Sequence, residues 1–196
     1  MIDQHRIKEA EANVKNYIDD NWITLKHNDI FNHAHFFLKN SETSLLTAQT
    51  LLELSENNVK KEAIHIVQDF ESFLWVVVSS YYSMFYASLA LFARHHIKVG
   101  DKSVHKVVAD LLITQFMVNN RLAKLLQSYE DSKEAALTII GTEKAHEFVD
   151  QFDMERRKRH TLQYELGAQA KQNLARTSVS RASAFVAVVR NILCEK

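Results

Sequence analysis

A short basic segment near residue 160 carries the side chains best suited to bind a phosphate backbone. It reads ERRKRHTLQY over residues 155–164. On a helix, Arg156, His160 and Tyr164 lie four residues apart on one stripe, and Arg157 borders that stripe. The chain has 24 basic and 24 acidic side chains, so the segment is a local positive patch on a protein without net charge. The alternative is a solvated helix end that the preceding acidic side chains neutralise.

Lys102 and His105 form a second candidate phosphate site. They follow the turn formers Gly100 and Asp101 and open an apolar helix pattern that runs to Phe116. The N-terminus of a helix with a lysine beside it can bind a phosphate group through its free N–H groups. The alternative is a solvated lysine and a half-buried histidine that bind no ligand.

Two Glu-x-x-His pairs raise a different possibility, a di-iron site. Glu62 and His65 form one pair, and Glu143 and His146 form the other. Ferritin-like bundles use this spacing on two helices, with a lone glutamate from each of the others. The candidates for the lone glutamates are Glu42, Glu53, Glu130 and Glu134. None of these lies in a clean apolar setting, so the di-iron bundle is a minor alternative.

The longest uncharged stretch of the chain runs for twenty residues, from Leu74 to Ala93. A helix of this length spans about 30 Å, which fits either a bilayer core or the centre of a helical bundle. Its four serines and three tyrosines, and the lack of a second such run, favour the bundle. Tyr81, Tyr82 and Tyr86 could stack on bases, but on a buried helix we expect them to be core aromatics.

The composition predicts an all-α fold in a single domain. The sequence has 196 residues, no proline and three glycines, so it has few turn formers and no helix breakers. Zero formal charge gives no global attraction to nucleic acid or to anionic lipid. The single cysteine, Cys194, fits a reducing cytoplasm, and we expect it to pack within the last helix.

Helical periodicity places further elements around the central run. A leading amphipathic helix covers residues 7–18, and a second helix begins after the cap candidates Asn28 and Asp29 and ends near Leu54. Residues 59–70 are expected to be a partly helical connection. The remaining predicted helices are 71–96, 104–116 and 171–193, and residues 121–166 form either one long kinked helix or two helices with a break at Gly141.

Four stretches, in this order, resemble the HEPN superfamily. They are HFFLKNSETSLLTAQTLLE at residues 35–53, SSYYSMFYASLALFARHHI at 79–97, KSVHKVVADL at 102–111 and ASAFVAVVRNIL at 182–193. The run from Tyr81 to Ala87 is the most specific of them. The resemblance covers about residues 31–195 and implies an up-and-down bundle of four to five core helices there. Residues 1–30 are then an N-terminal helical extension.

What the resemblance implies is a protein that is commonly a homodimer. The cytoplasmic location is expected from the single cysteine and the polar N-terminal segment, and the serines and tyrosines of the uncharged run argue against a membrane partner. Members act on RNA in toxin–antitoxin pairs or in phage defence, the antitoxin being a possible partner. Others are non-catalytic and bind a nucleotide or a partner such as a nucleotidyltransferase. Active members carry an arginine followed four to six residues later by a histidine, and they cleave RNA without a metal or other cofactor.

This motif is degenerate in the present chain. Aligning Tyr164 with the family's tyrosine places Arg157 at the arginine position and Leu162 where the histidine is expected. An active site with leucine at that position lacks its proton carrier. The alternative is that His160 substitutes from one turn earlier as the proton carrier, while Arg157 stabilises the charge on the phosphate. The remaining candidates for binding RNA or phosphate are Arg156, Arg159, Tyr164, Lys102 and His105.

Overall fold

The computed structural model describes residues 3–116, 126–139 and 168–194. The helices are α1 (Gln4–Asp19), α2 (Ala34–Glu56), α3 (Asn58–Ala63), α4 (Phe73–Arg94), α5 (Val104–Phe116), the helical segment α6 (residues 126–139) and α7 (Ala168–Cys194). A 3₁₀ helix (Asp29–His33) precedes α2, and the strands β1 (Ile23–Thr24) and β2 (Lys98–Val99) form an antiparallel ribbon. The all-α helical bundle expected from the composition is confirmed.

Helix α4 is the centre of the bundle. Fifteen of its 22 residues are buried, and α2 and α7 pack along it. Two of its serines satisfy their hydroxyls within the helix, because Ser83 Oγ donates to the Ser80 carbonyl at 3.0 Å and Ser88 Oγ donates to the Met84 carbonyl at 2.8 Å. These small side chains let the neighbouring helices approach closely.

The same helix is long and apolar enough to cross a membrane. However, 78% of its most apolar window is buried inside the described protein. A helix that is apolar on all sides and covered by other helices is typical of the core of a globular bundle. The interpretation of this run as a bundle centre therefore agrees with its surroundings.

Helix α1 packs chiefly against α5. The Asp3 side chain caps it by accepting a hydrogen bond from the Arg6 N–H at 2.8 Å. Ala10, Val14 and Tyr17 form its buried face, and the last two belong to the same hydrophobic core as α4. The predicted N-terminal extension is thus joined to the bundle by a shared apolar core.

The β1–β2 ribbon connects the end of α1 to the end of α4, and the sequence did not predict it. Ile23 pairs with Val99, and the Gly100 N–H donates to the Trp22 carbonyl at 2.8 Å. A Cβ at Gly100 would lie 3.2 Å from that same carbonyl oxygen. Glycine is therefore required here by the close approach of two backbones rather than by a positive φ.

Two local expectations are wrong in detail. Asn28 has helical backbone angles and makes no side-chain cap bond, because the chain enters α2 through the 3₁₀ helix. Cys194 is exposed at the last residue of α7, so it does not pack in the core. Helix α6, residues 126–139, agrees with the helical pattern predicted over 121–166, and the predicted break at Gly141 lies outside the described residues.

Candidate functional site

Most of the predicted RNA site falls outside the residues that the structure describes. This applies to Arg156, Arg157, Arg159, His160 and Tyr164, and to the second Glu-x-x-His pair, Glu143 and His146. Lys102 and His105 are described. They therefore provide the part of the predicted site whose geometry can be given.

His105 lies in the first turn of α5 and is half-buried. The helix starts where the amides of Lys106 and Val107 donate to the Ser103 carbonyl, at 2.9 and 3.1 Å. Apolar residues of α5 pack into the core, which brings His105 against α4. The His105 ring lies 4.8 Å from the Phe85 ring, centroid to centroid, and its Nδ1 is 2.6 Å from the Tyr81 hydroxyl.

The partner of His105 is a fully buried phenol. Tyr81 is 0% exposed, and burial raises the pKa of its hydroxyl well above the usual value. The phenol therefore stays protonated at all physiological pH values. Either it donates to an unprotonated Nδ1, or Nδ1–H donates to the phenol oxygen. In the first arrangement the proton of the neutral imidazole is on Nε2.

A second phenol lies behind Tyr81. Tyr129 of α6 is 1% exposed, and its ring centroid is 5.8 Å from that of Tyr81. Burial, followed by the proximity of Tyr81, raises the pKa of Tyr129 far above its ordinary value. Within the described residues, no donor or acceptor forms a hydrogen bond of good geometry with the Tyr129 hydroxyl. Tyr129, Tyr81 and His105 thus form a polar row that runs from the core of the bundle to its surface.

Lys102 is exposed and is directed to another part of the molecule than His105. Its Nζ lies 5.8 Å from the centroid of the Trp22 ring, a cation–π distance. Trp22 in turn stacks on Tyr17, with 5.3 Å between centroids and 8° between planes. The two candidates are therefore separated: Lys102 contacts the α1–β1 connection, whereas His105 contacts α4.

Asp110 lies five residues beyond His105 on α5, and its buried carboxylate was not singled out from the sequence. Asp110 is 0% exposed, and Arg6 Nη2 lies 2.6 Å from its Oδ1. Tyr17 Oη and Asn13 Nδ2 each donate to its Oδ2 at 3.0 Å. The available signal was one acidic residue within the apolar run VVADLLI. Its three partners all lie on α1, so Asp110 acts as the polar anchor of that helix.

The described half of the di-iron alternative does not have the expected geometry. Helix α3 ends at Ala63, before His65, whose φ of 58° is left-handed. Glu62 and His65 therefore do not share the face of one helix, as the i, i+3 spacing requires. Within the described ranges, no three His, Cys, Asp or Glu side chains cluster as metal ligands.

The arrangement at the start of α5 places an imidazole, a side chain that proteins use to accept and donate protons, against a buried phenol that orients it. The buried phenols themselves remain neutral, so they orient rather than react. No protein-family profile, curated protein or solved structure matches this chain.

Proposed function

We propose that this protein is an HEPN-like RNA-binding protein that cleaves RNA without a metal ion. The observation that supports this most is the Tyr81–His105 pair, a half-buried imidazole held by a buried phenol at the first turn of α5. Tyr81 lies in residues 79–97 and His105 in residues 102–111, two of the stretches that resemble the superfamily. A toxin or phage-defence setting in the cytoplasm, and a homodimer, belong to the same proposal.

In the proposed reaction the 2'-hydroxyl of the RNA attacks the neighbouring phosphorus. A bond forms between O2' and phosphorus, the bond from phosphorus to O5' breaks, and the products end in a 2',3'-cyclic phosphate and a 5'-hydroxyl. His160 carries the proton between the attacking and the leaving oxygen, and Arg157 stabilises the charge on the phosphate oxygens. Arg156, Arg159 and Tyr164 bind the RNA backbone, and His105 and Lys102 contact it at two separate points.

The test is an incubation of RNA with the protein in excess EDTA. We expect products with 2',3'-cyclic phosphate ends, detected by mass spectrometry. His160→Ala and Arg157→Ala should each lower the cleavage rate by about 10²-fold or more. Lys39→Ala is the matched control, because Lys39 is an exposed cation of α2 far along the chain from these residues. Cleavage that persists in both variants, or that EDTA abolishes, contradicts the proposal.

A second candidate is a non-catalytic module that binds RNA, a nucleotide or a partner such as a nucleotidyltransferase. It is favoured by Leu162, an apolar side chain at the position where active members carry histidine. Such a module would shift RNA in a binding assay and release no product. Its affinity would fall as salt rises, because binding to phosphates releases counterions. Binding without product, in the assay above, therefore selects this candidate over the ribonuclease.

A further inference from the structure

Three flat side chains meet where α4 ends and the chain enters β2. The guanidinium of Arg94 lies over the Phe31 ring, with 5.1 Å from Cζ to the ring centroid. The His96 imidazole stacks on the same ring at 5.2 Å and 17°. Phe31 is 37% exposed, and His96 is exposed. An aromatic ring that is partly exposed beside a cation and an imidazole is a suitable platform for a nucleobase.

Among the described residues, no carboxylate forms an ion pair with the cations around this platform. Four of the five arginines in these ranges are ion-paired within 4.0 Å, namely Arg6, Arg176, Arg181 and Arg190. Arg94 is the exception, and its guanidinium lies over Phe31 instead. Lys26 precedes His27, whose amide hydrogen-bonds to His96, and Lys98 follows His96 by two residues; both lysines are exposed, and neither has an ion pair within that distance in the described part.

The β1–β2 ribbon holds these residues in place. The His27 amide donates to the His96 carbonyl at 2.9 Å, and Thr24 is the strand partner of Lys98. Lys26 and His96 both have left-handed φ values, 56° and 59°. Non-glycine residues adopt this conformation at an energetic cost, so the surrounding hydrogen bonds must fix it. The surface is therefore preformed, which lowers the entropy lost on binding.

The local charge favours an anionic ligand. Residues 22–36 and 94–102 contain four lysines and arginines against Asp29 and Asp101, with histidine counted as neutral. A polyanion that also offers flat bases matches both properties of the surface better than an acidic protein or a lipid headgroup, because neither of those uses the stacking platform.

We propose that Phe31, Arg94 and His96, with Lys26 and Lys98, form a binding surface for single-stranded RNA, the Phe31 surface. One base stacks against the flat side chains, and the two lysines contact the flanking phosphates. The proposal rests on the proposed function in that RNA is the ligand, but it assigns no catalytic role to these residues. Arg94 lies thirteen residues beyond Tyr81 on the same helix, about 20 Å along its axis, so the Phe31 surface is separate from the His105 site.

The test compares two fluorescent probes in an anisotropy titration. One is an oligouridylate of about twelve nucleotides, within the usual site size for such surfaces. The other is an abasic oligomer of the same length, which keeps the phosphates and lacks the bases. Phe31→Leu should weaken oligouridylate binding by roughly 5- to 100-fold and leave abasic binding unchanged. Lys98→Gln should weaken both and lower the salt slope by about 0.7.

Matched controls come from the other end of the molecule. Trp75 is a 50% exposed aromatic near the start of α4, about 28 Å along the helix from Arg94. Lys60 is an exposed cation of α3, which follows the end of α2 that meets the start of α4 through the Ser55–Ser72 contact. Trp75→Leu and Lys60→Gln should bind both probes as the wild type does. Arg94→Gln provides a second variant if Phe31→Leu fails to fold, and it should weaken oligouridylate binding more than abasic binding.

The outcomes separate this inference from the proposed function. If Phe31→Leu and Arg94→Gln bind oligouridylate as tightly as the wild type while Arg157→Ala binds it weakly, the Phe31 surface is refuted and the proposed function stands. Equal losses on both probes refute the stacking role. If the wild type binds neither probe, both proposals fail. Anionic vesicles that compete fully for the surface would also overturn it, because a lipid headgroup offers no base.

Discussion

The buried carboxylate of Asp110 allows the sharpest prediction about stability. It accepts hydrogen bonds from Tyr17 and Asn13, and it forms an ion pair with Arg6 at 2.6 Å. Asp110→Leu removes the charge and keeps a similar volume. The change leaves three donors on α1 without their acceptor in a region where the carboxylate was 0% exposed, so the contact between α1 and α5 should weaken.

The expected loss can be estimated from the burial of the pair. Removing one member of a buried ion pair costs about 3–5 kcal/mol when the other is left without a partner. The Arg6 side chain is 27% exposed and keeps Glu130 Oε1 at 3.4 Å, so water and this carboxylate partly compensate its charge after the change. We therefore take the low end, about 3 kcal/mol. At about 2–4 °C per kcal/mol for a chain of this size, the melting temperature should fall by roughly 6–12 °C.

The assay is urea unfolding followed by circular dichroism, in a double-mutant cycle with Arg6→Met. The double variant should recover at least about 1 kcal/mol relative to the sum of the single changes, because it removes both charges together. Glu42→Ala is the control, since it breaks the equally short but exposed Arg190–Glu42 pair and should cost at most about 1 kcal/mol. Single changes that add to within about 0.5 kcal/mol would refute the coupling.

Three further predictions concern the tyrosines and the ribbon. Burial raises the pKa of four tyrosines, Tyr17, Tyr81, Tyr82 and Tyr129. Their contribution to the free energy of unfolding is therefore complete below about pH 10 and is lost as the pH rises above it. A free energy of unfolding that stays constant from about pH 8 to pH 11 would contradict this. Tyr81→Phe should cost about 1–3 kcal/mol and change the nitrogen-15 shifts of the His105 imidazole, since Nδ1 loses its hydrogen bond; unchanged shifts would argue against the pair. Gly100→Ala should cost about 1–3 kcal/mol in urea unfolding, because its Cβ meets the Trp22 carbonyl, and a neutral effect would show that the ribbon can move apart.

The helices could be predicted because their signals are local. In α1 and α5 the apolar residues recur at helical spacing, and the structure bounds these helices at Gln4–Asp19 and Val104–Phe116. The uncharged run predicted α4 to within about two residues at each end, the usual precision of such boundaries. These elements are defined by periodicity and by polar breaks, both of which can be read without knowledge of the contacts.

The ribbon and the Asp110 anchor depend on contacts between distant parts of the chain. Each strand has two residues, which is too short for alternation to indicate a strand. Asp110 meets partners that precede it by 93 to 104 residues, a pairing that no local pattern specifies. For the candidate site, the sequence indicated Lys102 and His105 together, but the structure gives them separate partners. His105 contacts Tyr81 of α4, whereas Lys102 lies over the Trp22 ring.

The central helix explains why a chain without net charge can still present distinct polar sites. Because α4 is largely enclosed by its neighbours, a polar group on it is stabilised when it is paired or lies at an end of the helix. Tyr81 follows the first course, since its hydroxyl is paired with a half-buried imidazole on α5. Arg94 follows the second, since it lies at the last residue of the helix and is covered by an aromatic ring rather than by a carboxylate. One helix therefore fixes the spacing between the Tyr81–His105 pair and the Phe31 surface, and the proposed RNA ligand would have to span that distance to contact both.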